Sequence, residues 1–280
     1  MSSRGLRIVT DSSADIPVEM AHNLGITVIP CQIHLDGQTY RDSVDIGHQE
    51  FYDRLRNVST LTTSQPAVGD FAEAYRQALR NADQVIAVHL GSGFSGLFDT
   101  ARLAAREVDS SRIALIDSRQ VSMCLGWAVL HAAEEAKRGC QASEVISQVL
   151  ALLPRLRLYA LIDDLHFLHR GGRVGWVSGM VGSLFAIKPI IRVQDGRADL
   201  VEKVRSFRRG IERLAALAEE AGPLERLAVL HAGAAESARL LADRISPFFR
   251  REQVLIAEAG AVISAHAGPG AVGLACLLAC

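Results

Sequence analysis

The 280-residue sequence has no large excess of charge of either sign, no CxxC cysteine pair and no long apolar run. Its formal net charge is −1, so no strong overall field attracts nucleic acid or an anionic membrane surface. The five cysteines are widely spaced and form no CxxC pair, which argues against a zinc cage and against a disulfide framework. Such cysteine usage favours a reducing cytoplasm.

Membrane-directed features are equally scarce. The longest apolar stretch, near Ala271–Cys280, is too short to span a bilayer. Residues Met1–Arg4 lead directly into a strand pattern without an apolar signal core, so we expect a cytoplasmic protein with no integral membrane segment. Any lipid that the protein handles must therefore be bound by the folded chain itself.

The hydrophobic share of 49% and the charged share of 22% are typical of a packed globular protein. Strand and helix patterns alternate through the first half, beginning with a short β-rich run at Leu6–Thr10. Ile26–Leu35 is predicted to be one strand, followed by a turn at Asp36-Gly37. This alternation predicts an α/β fold whose N-terminal part is a Rossmann-like parallel sheet with helices.

The second half of the sequence does not show this regular alternation of strands and helices. Asp195-Gly196 is a hairpin turn between two strand-like runs, and further helices and strands follow it. Hairpins mixed with helices predict an α+β domain with a mixed or antiparallel sheet. Two domains suit the length of the chain, and we place their limits at residues 1–155 and 156–280.

A glycine-rich turn, Gly91–Gly96, joins the predicted strand Val85–Leu90 to the predicted helix Ala101–Val108. Backbone N–H groups at a helix N-terminus favour an anion, and the hydroxyls of Ser92 and Ser95 add hydrogen-bond donors. The turn therefore predicts a carboxylate or phosphate site. A tight strand-to-helix turn that needs glycine only for its dihedral angles is the alternative.

The same six residues also match G-x-G-x-x-G, and Asp117 ends the next predicted strand. That combination is typical of a dinucleotide site, in which the acid binds the ribose. The motif is short and lies on an internal strand. A nucleotide-dependent enzyme that uses Gly91–Gly96 therefore stays open beside the anion site.

A second polar loop, Thr62–Pro66, precedes another predicted helix. Its hydroxyls are suited to capping that helix. They are also expected at the sheet edge that holds Ser95, because ligands of open α/β sheets lie at the carboxyl ends of the strands. Two hydroxyl donors from separate loops would then hold one anionic head group.

Arginines and histidines supply the remaining candidates. Arg170 and Arg173 flank a glycine pair, and Arg205–Arg213 contains four arginines that form either a solvated helix face or a docking surface for an anionic partner. A pure interaction module that docks through Arg205–Arg213 is thus a third hypothesis. His166 and His169 have no evident third metal ligand. His266, in the run Ser264–Gly270, is either a core histidine or an imidazole aimed by a rigid loop.

In their order and spacing these motifs resemble the DegV family nearly from end to end. The matching segments are Val9–Pro17, Thr63–Pro66, Phe94–Gly96, Ile116–Ser118, Asp164-Leu165 with Gly171–Arg173, Lys188-Pro189 and His266–Gly270. The resemblance implies two α/β domains with one long-chain fatty acid in a tunnel between them. It further implies a non-catalytic carrier that presents the acid to a fatty acid kinase, which phosphorylates the carboxylate to an acyl-phosphate.

The resemblance also assigns roles to individual residues. It implies that Thr63 and Ser95 hold the carboxylate, with the amide of Gly96 nearby, and that His266 borders the head-group pocket. We add Ser92 to the predicted ligand contacts because its hydroxyl belongs to the same turn. No cofactor and no metal are implied, the bound fatty acid being the ligand.

Arg173 and Arg205 are implied to contact the kinase or to steady the product phosphate. Three positions depart from the usual family pattern. Gly91 replaces a serine, Leu97 replaces a threonine, and Ala267 stands where threonine is common. The head-group pocket is therefore less polar than usual, and a carrier of another amphipathic lipid stays an alternative.

Overall fold

Two large β-sheets organise the chain in the computed structural model, which describes residues 5–55, 57–172, 175, 177–178 and 187–280. The strands of the first half are β1 Leu6–Asp11, β2 Thr27–Ile29, β3 Gln32–Leu35, β4 Gln38–Arg41, β5 Leu61–Ser64, β6 Gln84–His89 and β7 Ile113–Asp117. The helices of this half are α1 Val18–Asn23, α2 His48–Leu55, α3 Val68–Arg80, α4 Leu97–Val108, α5 Ser122–Lys137 and α6 Ala142–Leu152.

The first large sheet has the order β2-β1-β6-β7, and all its neighbouring strands are parallel. A smaller antiparallel sheet has the order β4-β3-β5. The predicted Rossmann-like parallel sheet with helices is thereby confirmed.

The second large sheet is built from the remaining strands, in the order β13-β12-β14-β8-β10-β11-β9. These strands are β8 Leu156–Leu161, β9 Val177–Ser178, β10 Lys188–Gln194, β11 Arg197–Val204, β12 Leu224–His231, β13 Val254–Glu258 and β14 Val272–Leu278. Their helices are α7 Leu165–Arg170, α8 Phe207–Glu220, α9 Ala235–Ile245 and α10 Ala261–Ala267. Parallel pairs β12–β13 and β11–β9 accompany antiparallel ones, so the predicted mixed sheet is also confirmed.

Two local predictions were wrong. Ile26–Leu35 is two strands in different sheets, because Pro30 has no N–H to donate and the chain changes sheet there. The run around His266 is not wholly a loop. It begins as α10, whose last turn carries His266, and Gly268 follows the helix directly with a φ of +80°.

Helix α5 ties the two large sheets together. It is buried on nearly every side, and the Trp127 indole N–H donates to the Ala275 carbonyl oxygen on β14 at 3.0 Å. Gly126 packs so closely that a Cβ there would lie 2.8 Å from the Ala14 carbonyl oxygen. The proposed domain limit at residue 155 directly precedes β8, and it stays a prediction.

Candidate functional site

A cavity of about 180 Å³ lies where the two halves of the chain meet. Leu90, Phe94 and Leu97 line it from the first half, and strands of the second large sheet line it from the other side. One water molecule needs about 10–15 Å³ of such cavity volume, so the cavity has room for a much larger ligand.

The sheet side of the cavity follows the two-residue period of β-strands. Leu158 and Ala160 on β8, and Ile191 and Val193 on β10, alternate with residues on the opposite face. Val193 pairs with both Leu158 and Ala198, which places these three side chains in one row across the sheet. The strand pattern therefore builds a continuous apolar wall.

Polar side chains from three distant segments of the chain contribute to the lining of this cavity. Thr63 at the end of β5, Ser95 before α4 and His266 at the end of α10 all line it. The Thr63 hydroxyl and Nε2 of His266 are 2.8 Å apart. Three of the sequence-predicted ligand contacts thus share one cavity, although their role as ligand contacts stays a prediction.

Ser95 has a local structural task as well. Its Oγ accepts a hydrogen bond from the Leu97 backbone N–H at 3.2 Å, in the manner of a helix cap. The hydroxyl hydrogen of Ser95 is not used in that bond, so it can be donated to a ligand. Gly96 is exposed directly before α4, and a Cβ there would lie 3.6 Å from Nε2 of Gln65 on the neighbouring loop.

The ring of His266 is set by close glycine packing. A Cβ on Gly171 would overlap with Nδ1 of His266, so only glycine leaves the ring in place. Gly268, directly after α10, would bring a Cβ within 2.7 Å of the Phe167 ring. Sequence analysis placed Gly171 in a glycine pair beside Arg170 and missed its packing on His266, because nothing local links residues 171 and 266.

Two of the predicted ligand contacts, Ser92 and Gly96, are not among the residues that line the cavity, and Ser92 has partners elsewhere. Its Oγ donates to Oδ2 of Asp117 at 2.6 Å, and its backbone N–H donates to Oδ1 of the same residue at 3.1 Å. Both atoms lie on the exposed side of the turn. Ser92 braces the turn against the next strand, and its role as a ligand contact stays a prediction.

The same contacts bear on the dinucleotide alternative. The Asp117 carboxylate is occupied by Ser92 and by the Arg119 backbone N–H, which donates to it at 3.0 Å. A Cβ on Gly91 would lie 2.9 Å from the Arg119 backbone, and one on Gly93 would lie 2.5 Å from the Gly196 carbonyl oxygen. These two glycines allow separate backbone segments of the protein to pack closely together. That packing role disfavours the dinucleotide interpretation.

The turn at residues 91–96 is positioned by a series of buried, hydrogen-bonded side chains. Asp11 at the end of β1 accepts hydrogen bonds from the Leu90 N–H at 3.1 Å and from His89, whose Nδ1 is 2.9 Å away. His89 continues through Nε2 to the Tyr75 hydroxyl at 2.9 Å. Ser13 also donates to Asp11 and lines the cavity. Sequence analysis included Asp11 and Ser13 in the segment Val9–Pro17 without giving either residue a role.

Helix α10 is held at its N-terminus by two buried carboxylates from the first half. Oδ1 of Asp15 accepts from the Gly260 N–H at 2.8 Å, and Oδ1 of Asp42 accepts from the Ala261 N–H at 3.1 Å. Burial raises the pKa of Asp15 to about 8, and it also raises the pKa of Asp42. The helix that carries His266 is thus anchored at both ends.

Of the two predicted arginine contacts, only Arg205 is among the described residues, and it does not line the cavity. Arg173 lies outside the described residues, and Arg205 is exposed directly after β11. Arg213 bonds to Glu202 at 2.7 Å and also to Glu220, which makes it part of a surface ion-pair network. Within the described part of the chain, no group of three His, Cys, Asp or Glu side chains is arranged to hold a metal ion.

None of the described helices is long and apolar enough to cross a membrane.

Residues 5–278 match the family described as "Uncharacterised protein, DegV family". A DegV domain-containing protein of Staphylococcus aureus is 36% identical over 273 residues, covering 96% of this chain and 98% of the relative. Protein DegV of Bacillus subtilis is 34% identical over 274 residues, covering 96% and 98% of the two chains.

Solved structures agree with the fold. A DegV family protein from Thermus thermophilus, described in terms of fatty acid binding, superposes with a TM-score of 0.90 at 30% identity and covers 98% of this chain and 100% of its own. DegV of Bacillus subtilis, described as a fatty acid binding protein, gives a TM-score of 0.86 at 33% identity, with coverage of 98% and 99%.

Proposed function

The chain belongs to the DegV family, and from this premise we propose that it binds a long-chain fatty acid in the cavity between its two large sheets. The observation that carries the proposal is that Thr63, Ser95 and His266 all line one otherwise largely apolar cavity. The fatty acid binding described for the similar proteins of Thermus thermophilus and Bacillus subtilis supports it.

The polar residues are suited to a carboxylate. Burying an ionised carboxylate without partners is very unfavourable, and among the described residues no lysine or arginine lines the cavity. We therefore propose that the hydroxyls of Thr63 and Ser95 donate to the carboxylate, with the Gly96 amide nearby and His266 fixing the orientation of Thr63. Hydrogen bonds to charged acceptors are the stronger ones, contributing about 1.5–3 kcal/mol each.

The apolar wall is suited to the tail. Each buried methylene contributes about 0.8 kcal/mol, so a chain of about 14–16 methylenes gains on the order of 10 kcal/mol before the entropy of binding is subtracted. Leu97 and Ala267, which stand where hydroxyl residues are usual in the family, make the head-group end less polar. Another amphipathic carboxylic acid is therefore the second ligand class to test.

We propose further that the protein is a carrier and not the catalyst. A separate fatty acid kinase would transfer the γ-phosphoryl group of ATP to a carboxylate oxygen of the bound acid, releasing ADP and leaving an acyl-phosphate. Arg205, exposed beside β11, and Arg173 are proposed to contact that kinase or the product phosphate. We also propose a cytoplasmic location, where ATP would be available to such a kinase.

The ligand is tested by extraction of the protein as purified. We expect organic solvent to release one C14–C18 acid per chain, identified by mass spectrometry. An empty extract from protein that also fails to take up added palmitate in calorimetry would overturn the proposal. Titration with NAD and NADP in the same calorimeter tests the nucleotide alternative, for which heat of binding is expected only if the dinucleotide interpretation is right.

A further inference from the structure

The polar side chains that line the fatty acid cavity differ in whether their hydrogens are free. Ser13 donates its hydroxyl hydrogen to Asp11, and Ser64 donates its hydroxyl hydrogen to Oε1 of Gln32 at 3.3 Å. Neither hydrogen is therefore available to a ligand. Apart from the three head-group residues proposed above, the strong side-chain donor that remains among the described lining residues is the amide of Gln65.

The amide of Gln65 is not occupied by the protein. Its side chain makes no hydrogen bond to another residue in the part of the chain that the structure describes, although Gln65 both lines the cavity and is exposed to solvent. A residue that does both lies where the cavity reaches solvent. Its two N–H hydrogens and its carbonyl oxygen are thus available to water or to a ligand.

Gln65 also lies between the two loops that carry the proposed hydroxyl donors. It stands two residues beyond Thr63, directly after β5, which corresponds to about 7 Å along an extended chain and to the same face. Its Nε2 is 3.6 Å from the position that a Cβ on Gly96 would take, and Gly96 directly follows Ser95. The N–H end of the amide therefore faces the turn that precedes α4.

A carboxylate makes better use of such an amide than an uncharged head group does. Its two oxygens offer about four lone-pair sites, so the hydroxyls of Thr63 and Ser95 leave acceptor capacity unused. Hydrogen bonds to an ionised acceptor are roughly twice as strong as those between neutral groups. Because no lysine or arginine is among the described lining residues, neutral donors have to supply this selectivity.

We propose that Gln65 determines head-group specificity: its amide N–H donates to the carboxylate and selects a free fatty acid over an uncharged lipid with the same tail. The inference rests on the proposed function and adds a residue to it. In the sequence, Gln65 belonged to the matching segment Thr63–Pro66 without a role of its own.

The test compares two ligands of equal chain length, palmitate and hexadecanol, on delipidated protein. Their dissociation constants are measured by competition against a bound fluorescent fatty acid. In Gln65→Leu the side chain keeps a similar size and loses its donor. We expect palmitate affinity to fall about tenfold and hexadecanol affinity to change by no more than about twofold, so that the preference of the natural protein for palmitate narrows.

A second variant tests the same contact through charge. In Gln65→Glu the shape is kept, but the side chain is ionised at neutral pH and repels a carboxylate. We expect a larger loss of palmitate affinity than in Gln65→Leu, and the difference should shrink as salt is added, because exposed charges are screened. Gln77→Leu, on the exposed side of α3 and outside the cavity, is the control, and both of its affinities should be unchanged.

The melting temperature of each variant checks that the fold is intact, and the outcomes separate this inference from the proposed function. Unchanged palmitate binding in Gln65→Leu, an equal loss for both ligands, or a salt-independent loss in Gln65→Glu would overturn the role of Gln65 and leave fatty acid binding in place. If the natural protein binds neither ligand, or binds both equally well, the proposed function itself fails.

Discussion

The Thr63 hydroxyl lies 2.8 Å from Nε2 of His266, a hydrogen bond between residues 203 positions apart in the chain. Either atom can be the donor, depending on which ring nitrogen carries the hydrogen. A carboxylate can only accept, so its binding favours the arrangement in which His266 donates to Thr63 and Thr63 donates to the ligand. The hydrogen bond from His266 would thus orient the Thr63 hydroxyl so that its hydrogen points to the carboxylate of the ligand.

The first prediction concerns His266. In His266→Ala the Thr63 hydroxyl loses its partner, and we expect fatty acid affinity to fall about tenfold or more, since hydrogen bonds of this kind contribute about 1.5–3 kcal/mol. His266→Gln keeps an N–H donor and is expected to lose less. Calorimetric titration of palmitate into delipidated protein measures both. Equal losses in the two variants would contradict a donor role.

The second prediction concerns the two hydroxyls. Thr63→Ala combined with Ser95→Ala is expected to weaken acid binding by about one hundredfold while the melting temperature shifts little, because two hydrogen bonds to a charged group are lost. Thr62→Ala is the matched control, since Thr62 is exposed on the opposite face of β5. If the double variant keeps its affinity for the acid, Thr63 and Ser95 do not bind the carboxylate head group.

Ser92 and Ser95 show how far sequence reasoning reaches in this site. Both stand in the same glycine-rich turn, and the pattern alone gave them the same role. Only the three-dimensional path of the turn separates them: Ser92 is directed to Asp117 on the adjacent strand, and Ser95 lines the cavity. The pairing that decides this is non-local, so local spacing does not contain it.

The third prediction uses the neighbouring glycines 171 and 172. Gly171→Ala places a Cβ against Nδ1 of His266, so we expect the ring to be displaced and acid affinity to fall about tenfold. Gly172→Ala has open space but a φ of +68°, so it should cost about 1–2 kcal/mol of stability and leave binding unchanged. Unfolding curves and palmitate titrations separate the two effects. The reverse pattern would show that Gly171 does not position His266.

The fourth prediction follows from the buried carboxyl of Asp15. Its pKa is raised from the ordinary value of 3.8 to about 8, chiefly because burial disfavours the charged form. Between these values the folded state holds a proton that the unfolded chain has lost. Its stabilising contribution is therefore complete below pH 4 and is lost as the pH rises to 8, at up to about 1.4 kcal/mol per pH unit.

Asp15→Asn mimics the neutral form and removes that pH dependence. We expect the free energy of unfolding of the natural protein to fall relative to the variant as the pH is raised from 5 to 8 in urea titrations. Asp42, whose pKa burial also raises, is present in both proteins, but its charge also raises the pKa of Asp15, so the difference between the two profiles reports Asp15 together with its interaction with Asp42. Parallel pH profiles would mean that Asp15 is ionised in the folded protein.

The fold was more accessible from the sequence than the site was. Alternating strand and helix patterns predicted the parallel sheet, since two-residue and 3.6-residue periods are local signals. The error at Ile26–Leu35 arose because hydrophobicity continues across Pro30 while the sheet does not. Leu158, Val193 and Ala198 lie side by side across the sheet because of the register of their strands. Strand register cannot be predicted from a local sequence pattern.

That row supports the fifth prediction. Ala198 is the smallest side chain in it, lines the cavity, and is paired with Val193 on one side and with Val177 on the other. A leucine at 198 would extend into the space that the apolar tail is proposed to occupy. We therefore expect Ala198→Leu to bind acids shortened by a few methylenes, because a longer tail would no longer fit beside the new side chain.

Mass spectrometry of acids extracted from the variant after incubation with an equimolar C12–C18 mixture measures the shift. Affinity for the longest acids should fall by about 0.8 kcal/mol for each methylene excluded from the cavity, while the shortest acids bind as before. Lys203→Leu, on the same strand but exposed and outside the cavity, is the control for added hydrophobicity. If both variants retain the chain-length profile of the natural protein, the tail does not lie along β11, and the acid must run towards another wall of the cavity.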